Sequence, residues 1–198
     1  VLLIFKLIRL TKAPHHSGVL LLIKAVTLQD MADEIINKVA SSALTQINLE
    51  EYLPAEEIVV FDLRHYLFME LILKEKDFRD ALQKNDWSVY QNKVVAVTCS
   101  ADAIIPAWAY MLIVSYLQPV AAEIIFGDEK IAHQQLFMRN IQSMNVEKFA
   151  DQRVVIKGCG DLPVEPFAYM ELTKKLRPFV KSIMYGEPCS TVPIFKRK

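Results

Sequence analysis

KVVAVTCSADAIIPAWAYMLIVSYLQPVAAEIIFGD (residues 93–128) and RVVIKGCGDLPVEPFAYMELTKKLRPFVKSIMYGE (residues 153–187) read as one pattern written twice. Each is an apolar β run, a Cys, an Asp, an amphipathic helix ending near Pro, and a second β run closed by Gly and an acid. Val94, Val95 and Cys99 return as Val154, Val155 and Cys159 at an offset of 60. After a one-residue deletion the offset is 59, and it pairs Asp102 with Asp161, Tyr110 with Tyr169, Met111 with Met170, Leu117 with Leu176, Phe126 with Tyr185 and Asp128 with Glu187. So many matches in one frame point to a duplicated β-Cys-Asp-α-β unit, and to function where the two copies meet.

Working outward, residues 57–63 (EIVVFDL) have the β-branched and aromatic content of a buried strand. Helical spacing is read over residues 33–53, 65–84 and 130–144, and the paired helices over 102–117 and 167–176. Residues 186–193 read as an irregular loop. Strands without polar alternation, joined by helices long enough to cross over, predict an α/β fold with a mostly parallel sheet covered by helices. Right-handed crossovers then bring the strand-to-helix turns to one edge, where such folds place their sites.

Composition narrows the function. The 198 residues suit a single domain able to bury a core without metal or disulfides. Lys plus Arg equals Asp plus Glu at 23 each, which leaves no net field for nucleic acid or an acidic membrane. Three cysteines, an odd number, argue against a secreted disulfide framework and for a reducing cytoplasm. Residues 1–30 carry two apolar runs, each shorter than the roughly 20 residues a membrane-spanning helix needs. They read as a non-native extension from a misplaced start, with a membrane-associating helix as the alternative, and residues 31–198 as a single α/β domain. Stable membrane insertion is not expected. His15 and His16 fall in the extension and carry little weight.

Cys99 and Cys159 each end a strand of the repeat, and Cys189 follows the last strand. Asp102 and Asp161 stand where a side chain would cap the following helix. Taken singly, a Cys at a strand end is usually a small buried hydrophobe. Together, three thiolates from three loops can bind zinc with a fourth ligand, or three irons of a four-iron cluster. Asp102, Asp161 and Asp62 are candidate supports for such a site. The alternatives are a cysteine-dependent transferase using Cys99 or Cys189, with His65 as the nearest base and His133 on a helix surface, or a partner-binding protein without site chemistry. No phosphate-binding glycine loop is present.

TCSADAIIPAWAYM, KGCGDLPVEPFAYMELTKKL and VKSIMYGEPCSTVPIFK resemble the domain-of-unknown-function 2480 family of bacterial proteins, from about residue 31 to the C-terminus. That family has no activity to carry over. The resemblance implies a gene neighbourhood beside the SUF-type iron–sulfur assembly system, and hence iron–sulfur assembly proteins as partners. It also makes Cys99, Cys159 and Cys189 candidates for handling iron, sulfur or a cluster.

Overall fold

Parallel pairing is what apolar strands joined by crossover helices require, and the computed structural model shows it in two separate sheets. It describes residues 44–158, 160–187 and 189–198. Readings of residues 1–43, including the extension and the start of the first helix, lie outside the described residues, as does Cys159. The strands are β1 (Leu44–Ile47), β2 (Ile58–Asp62), β3 (Val94–Thr98), β4 (Glu123–Phe126), β5 (Arg153–Ile156), β6 (Ser182–Glu187) and β7 (Ser190–Lys196). The helices are α1 (Glu75–Lys84), α2 (Ala107–Leu117), α3 (Glu129–Ser143) and α4 (Pro166–Leu176). One sheet has the order β2-β3-β4, all parallel; the other has the order β1-β5-β6-β7, parallel except for β7.

The two repeat stretches fold as β3-α2-β4 and β5-α4-β6, and each gains a further parallel strand from the start of the described chain. Those added segments correspond as well. Residues 44–52 and 58–66 match at an offset of 14, with Asn48 and Asp62 each capping a short 3-10 turn that ends at Tyr52 or Tyr66. The whole sheet β2-β3-β4 is therefore inserted in the chain between β1 and β5 of the other.

Helix α3 sits between the sheets. Its Ala132 and Leu136 pack on Val94, Ala96 and Ile125, while Phe137 and Ile141 join Ala168, Leu172, Val154, Ile156 and Ile183 on the other side. The far face of β2-β3-β4 is covered by Phe78 and Leu82 of α1 and by Ala109, Ile113 and Leu117 of α2. Lys130 and Gln134 near the start of α3 meet Glu165 at the start of α4, and Lys175 near the end of α4 donates to the Ile141 carbonyl at the end of α3. The two helices thus run parallel, and the carboxyl edges of both sheets face the same way.

Four local readings are corrected. Leu44–Ile47 is a strand, because a four-residue segment apolar at i and i+3 satisfies either period and here β5 supplies its partner. The helix expected from residue 65 begins only at Glu75. Before it, Asp62 caps a 3-10 turn, and Met69 and Glu70 take positive φ in a bridge between Phe68 and Ile72. The capping role of Asp102 and Asp161 does not occur: α2 is capped at Pro106 and α4 at Glu165, neither through a side chain. The prolines decide this, since Ile105 and Glu165 each precede one and are held out of helical conformation. Finally, the stretch expected as an irregular loop is largely strand: Gly186 and Glu187 end β6, and Ser190 to Pro193 begin β7, with Pro193 beside a register shift on the outer strand, where proline is tolerated.

Candidate functional site

The carboxyl edge of β2-β3-β4 is closed by its own polar groups. Asp62, at the end of β2, accepts from the Ser100 amide at 3.0 Å, the Ser100 hydroxyl at 2.5 Å and the Arg64 amide at 2.9 Å. Burial alone would raise its pKa, but the Ser100 and Arg64 hydrogen bonds and the charge of His65 outweigh it and hold the carboxyl below its usual range. Cys99 is half-buried and its thiol points 3.6 Å from the Ala101 carbonyl. Burial first, and then the neighbouring Cys99, push the Tyr110 phenol up. At the end of β4, Asp128 accepts from the Ile131 amide at 2.8 Å and so caps α3. Each of these groups has a structural use.

The carboxyl edge of β1-β5-β6 is open. A cleft of about 1010 Å³ lies there, walled by Glu50, Lys157, Gly158, Gly160, Lys174 and Tyr185 among others. Two glycines in its wall let other side chains come close. A Cβ on Gly158 would lie 2.5 Å from the Tyr185 ring, and one on Gly160 would lie 1.7 Å from Glu50 Oε1. Glu50 reaches this loop from the β1 side and accepts from the Leu162 amide at 2.9 Å. Tyr185 donates to the Gly158 carbonyl at 3.2 Å and stands edge-on to Tyr169, with ring centroids 5.5 Å apart. The corresponding Tyr110 and Phe126 make the same edge-on pair at 5.3 Å.

At the end of β6, where the other half has its capping Asp128, stands Glu187. Its Oε1 is buried and has no hydrogen-bond partner. A buried carboxylate oxygen left unmatched is costly, so it marks a place where a donor or a cation belongs. Continuing the β5–β6 register beyond Ile156 opposite Tyr185 puts Glu187 alongside Gly158. Cys189 follows two residues later in the hairpin turn, exposed and free.

The sequence-derived candidates therefore separate. Cys99 and Asp62 lie at the closed edge, and Cys189 at the open one. Asp102 and Asp161 are exposed in the loops before α2 and α4. Among the described residues no three of His, Cys, Asp and Glu converge as a metal site would require, a set that does not include Cys159. His65 is exposed, and His133 is not on an open surface but half-buried edge-on to Phe137. Glu187, Glu50 and Tyr185 were not singled out from sequence. For Glu187 a signal existed: Asp128 is followed by a helix, whereas Glu187 is followed by Pro188 and Cys189.

Fold and edge together define an α/β protein of two mostly parallel sheets, with one strand edge closed by its own side chains and one open to solvent. The chain belongs to the family described as protein of unknown function (DUF2480), whose model matches residues 33–197. No curated protein and no solved structure matches it. No helix among the described residues is long and apolar enough to cross a membrane.

Proposed function

We propose that this is an accessory protein that holds a thiophilic cation or an iron–sulfur cluster at the carboxyl edge of β5 and β6, for handover to an assembly partner in the cytoplasm. The orphaned Oε1 of Glu187 carries the reading. A carboxylate oxygen buried without a partner is a natural ligand atom, and Cys189 is two residues away in the same turn. Cys159 stands in sequence between Gly158 and Gly160, both of which wall the cleft. Thiolate with carboxylate is a donor set that suits zinc, and cysteines can hold a cluster with an open position. The proposed site leaves out Cys99 and Asp62, which are engaged at the closed edge, and Asp102, which lies in the loop before α2. This narrows the three-Cys reading to Cys159, Cys189 and Glu187.

The test is metal and sulfide analysis with absorbance spectra on the full chain purified anaerobically, alongside Cys99→Ser, Cys159→Ser and Cys189→Ser. Stoichiometric iron or zinc retained by Cys99→Ser and lost by the other two, with unchanged circular dichroism, supports the proposal. Loss in Cys99→Ser to the same extent, or no metal uptake by any form after reconstitution, would sink it.

A further inference from the structure

The outer edge of β4 offers an interaction surface that is independent of the open cleft. In the sheet β1-β5-β6-β7, the outer edge of β6 is covered by β7 running antiparallel. In β2-β3-β4, the corresponding edge of β4 carries no strand among the described residues. The strands outermost on this side of each sheet, β7 and β4, are also built differently. β7 carries Pro193, Lys196 and a register shift, devices that discourage further pairing. β4 is Glu-Ile-Ile-Phe, with no Lys, Pro or bulge. Exposed apolar side chains stand on this strand and on α2, whose Tyr110 meets Phe126: Phe126 is 70% exposed and Met111, next to Tyr110 in the chain, 71%. Exposed apolar groups gathered along an unpaired strand are what an interface presents.

We infer that the occupant is β4 of a second copy, paired antiparallel about a twofold axis to give one continuous six-stranded sheet, β2-β3-β4-β4′-β3′-β2′. The strand is self-complementary in the register that twofold symmetry allows. Opposed residues must share a face, so the axis passes through a residue, and Ile125 is the one that centres the strand. Ile124 then faces the partner's Phe126 on the side where Ile124 joins the α2 cluster and Phe126 meets Tyr110. Ile125 faces the partner's Ile125 on the side covered by α3. Glu123, held by Arg139, faces the partner's Gly127, so no like charges meet. Apolar cross-strand pairs of this kind favour association.

Sedimentation and light scattering of the full chain across a wide concentration range test the inference, with hydrogen exchange read at residues 123–127. The expected result is a monomer–dimer equilibrium in which those amides slow as concentration rises. Phe126→Lys and Met111→Lys should each weaken it at least tenfold and keep the wild-type circular dichroism, since both side chains lie on the surface. A chain that stays monomeric throughout, or a dimer indifferent to both variants, overturns it. So does a monomer whose 123–127 amides slow only when a synthetic peptide with the β7 sequence is added, which would make the occupant a foreign strand.

Discussion

The halves β2-β3-α2-β4 and β1-β5-α4-β6 share strand order, helix placement and an edge-on aromatic pair, yet they end in opposite ways. In the first, the carboxyl edge satisfies itself: Asp62 ties β2 to Ser100 and Asp128 caps α3. In the second, Thr98 and Ser100 give way to Gly158 and Gly160, Asp128 gives way to Glu187, and no helix follows. The space left by the missing side chains is taken up by Tyr185 and Glu50, which wall the cleft, and the acid has no partner for its buried oxygen. The outer edges differ in the reverse sense, with β6 covered by β7 and β4 without a neighbouring strand among the described residues. The lesson is that the site is found where matched positions stop matching, because the shared residues serve the fold common to both halves.

The largest expected effect asks how far the halves are one folding unit. Leu117 and Leu176 hold matched positions at the ends of α2 and α4, and both are fully buried. Either one changed to Ala should cost about 2–5 kcal/mol. Because α3 is packed between both sheets, each variant should lower a single unfolding transition followed by calorimetry. Two transitions, with only one moved by each variant, would break the comparison into independent domains.

Next in size are the glycines in the cleft wall. Gly158→Ala places a methyl group against the Tyr185 ring and should cost about 1–3 kcal/mol from overpacking. Gly160→Ala meets only the end of the Glu50 side chain, which can swing away, so its cost is about 1 kcal/mol or less, the worth of the Leu162 hydrogen bond. Chemical denaturation of both variants ranks them. If Gly160→Ala proved the more damaging, the cleft wall would be set by backbone geometry and not by what approaches it.

Much of this fold was legible in the chain. Residues 94–98 were readable as a strand because nothing polar interrupts them, and the helices α2 and α4 ended where Leu117 and Leu176 precede polar residues and Pro. The division into two sheets was not legible. It depends on β1 choosing β5, more than a hundred residues away, instead of β2 beside it. Asp102 and Asp161 looked like caps until Pro106 and Pro166 are given their effect on the residue before them. The cysteines were visible, but the sequence match alone grouped Cys99 with Cys159, whereas Asp62 and Ser100 close the edge around Cys99. The cleft was hidden because a glycine's importance lies in what comes near it, and Glu50 and Tyr185 arrive from other strands.

Asp62 gives a smaller effect with a defined pH window. Asp62→Ala removes the cap on the 3-10 turn and the tie to Ser100, and should cost about 0.5–2 kcal/mol at neutral pH. The folded carboxyl titrates below its unfolded value of about 3.9. Its contribution is therefore fully present above that value and is lost as pH falls through the lower folded pKa. Melting curves of wild type and variant should thus converge as pH drops from 5 towards about 2. The matched Asn48→Ala, which removes a single 3.2 Å bond to the Glu50 amide and no charge, should show no such convergence.

The smallest effect has the opposite sign and bears most directly on the open edge. Asp128→Leu should destabilise the metal-free chain by about 1 kcal/mol, because it removes a helix cap. Glu187→Leu should leave the metal-free chain unchanged or raise its stability by up to about 1 kcal/mol, because it removes a buried acceptor that nothing satisfies. Added zinc or ferrous iron should then reverse the order. A ligand bound only to the native state at a hundred times its dissociation constant adds about 2.7 kcal/mol, and the wild type should gain this while Glu187→Leu gains less. Thermal melts with chelator and with metal give all four values in one experiment. A Glu187→Leu variant destabilised like Asp128→Leu and responding to metal like wild type would show that Glu187 serves the fold as its counterpart does, and the contrast between the two edges would lose its chemical meaning.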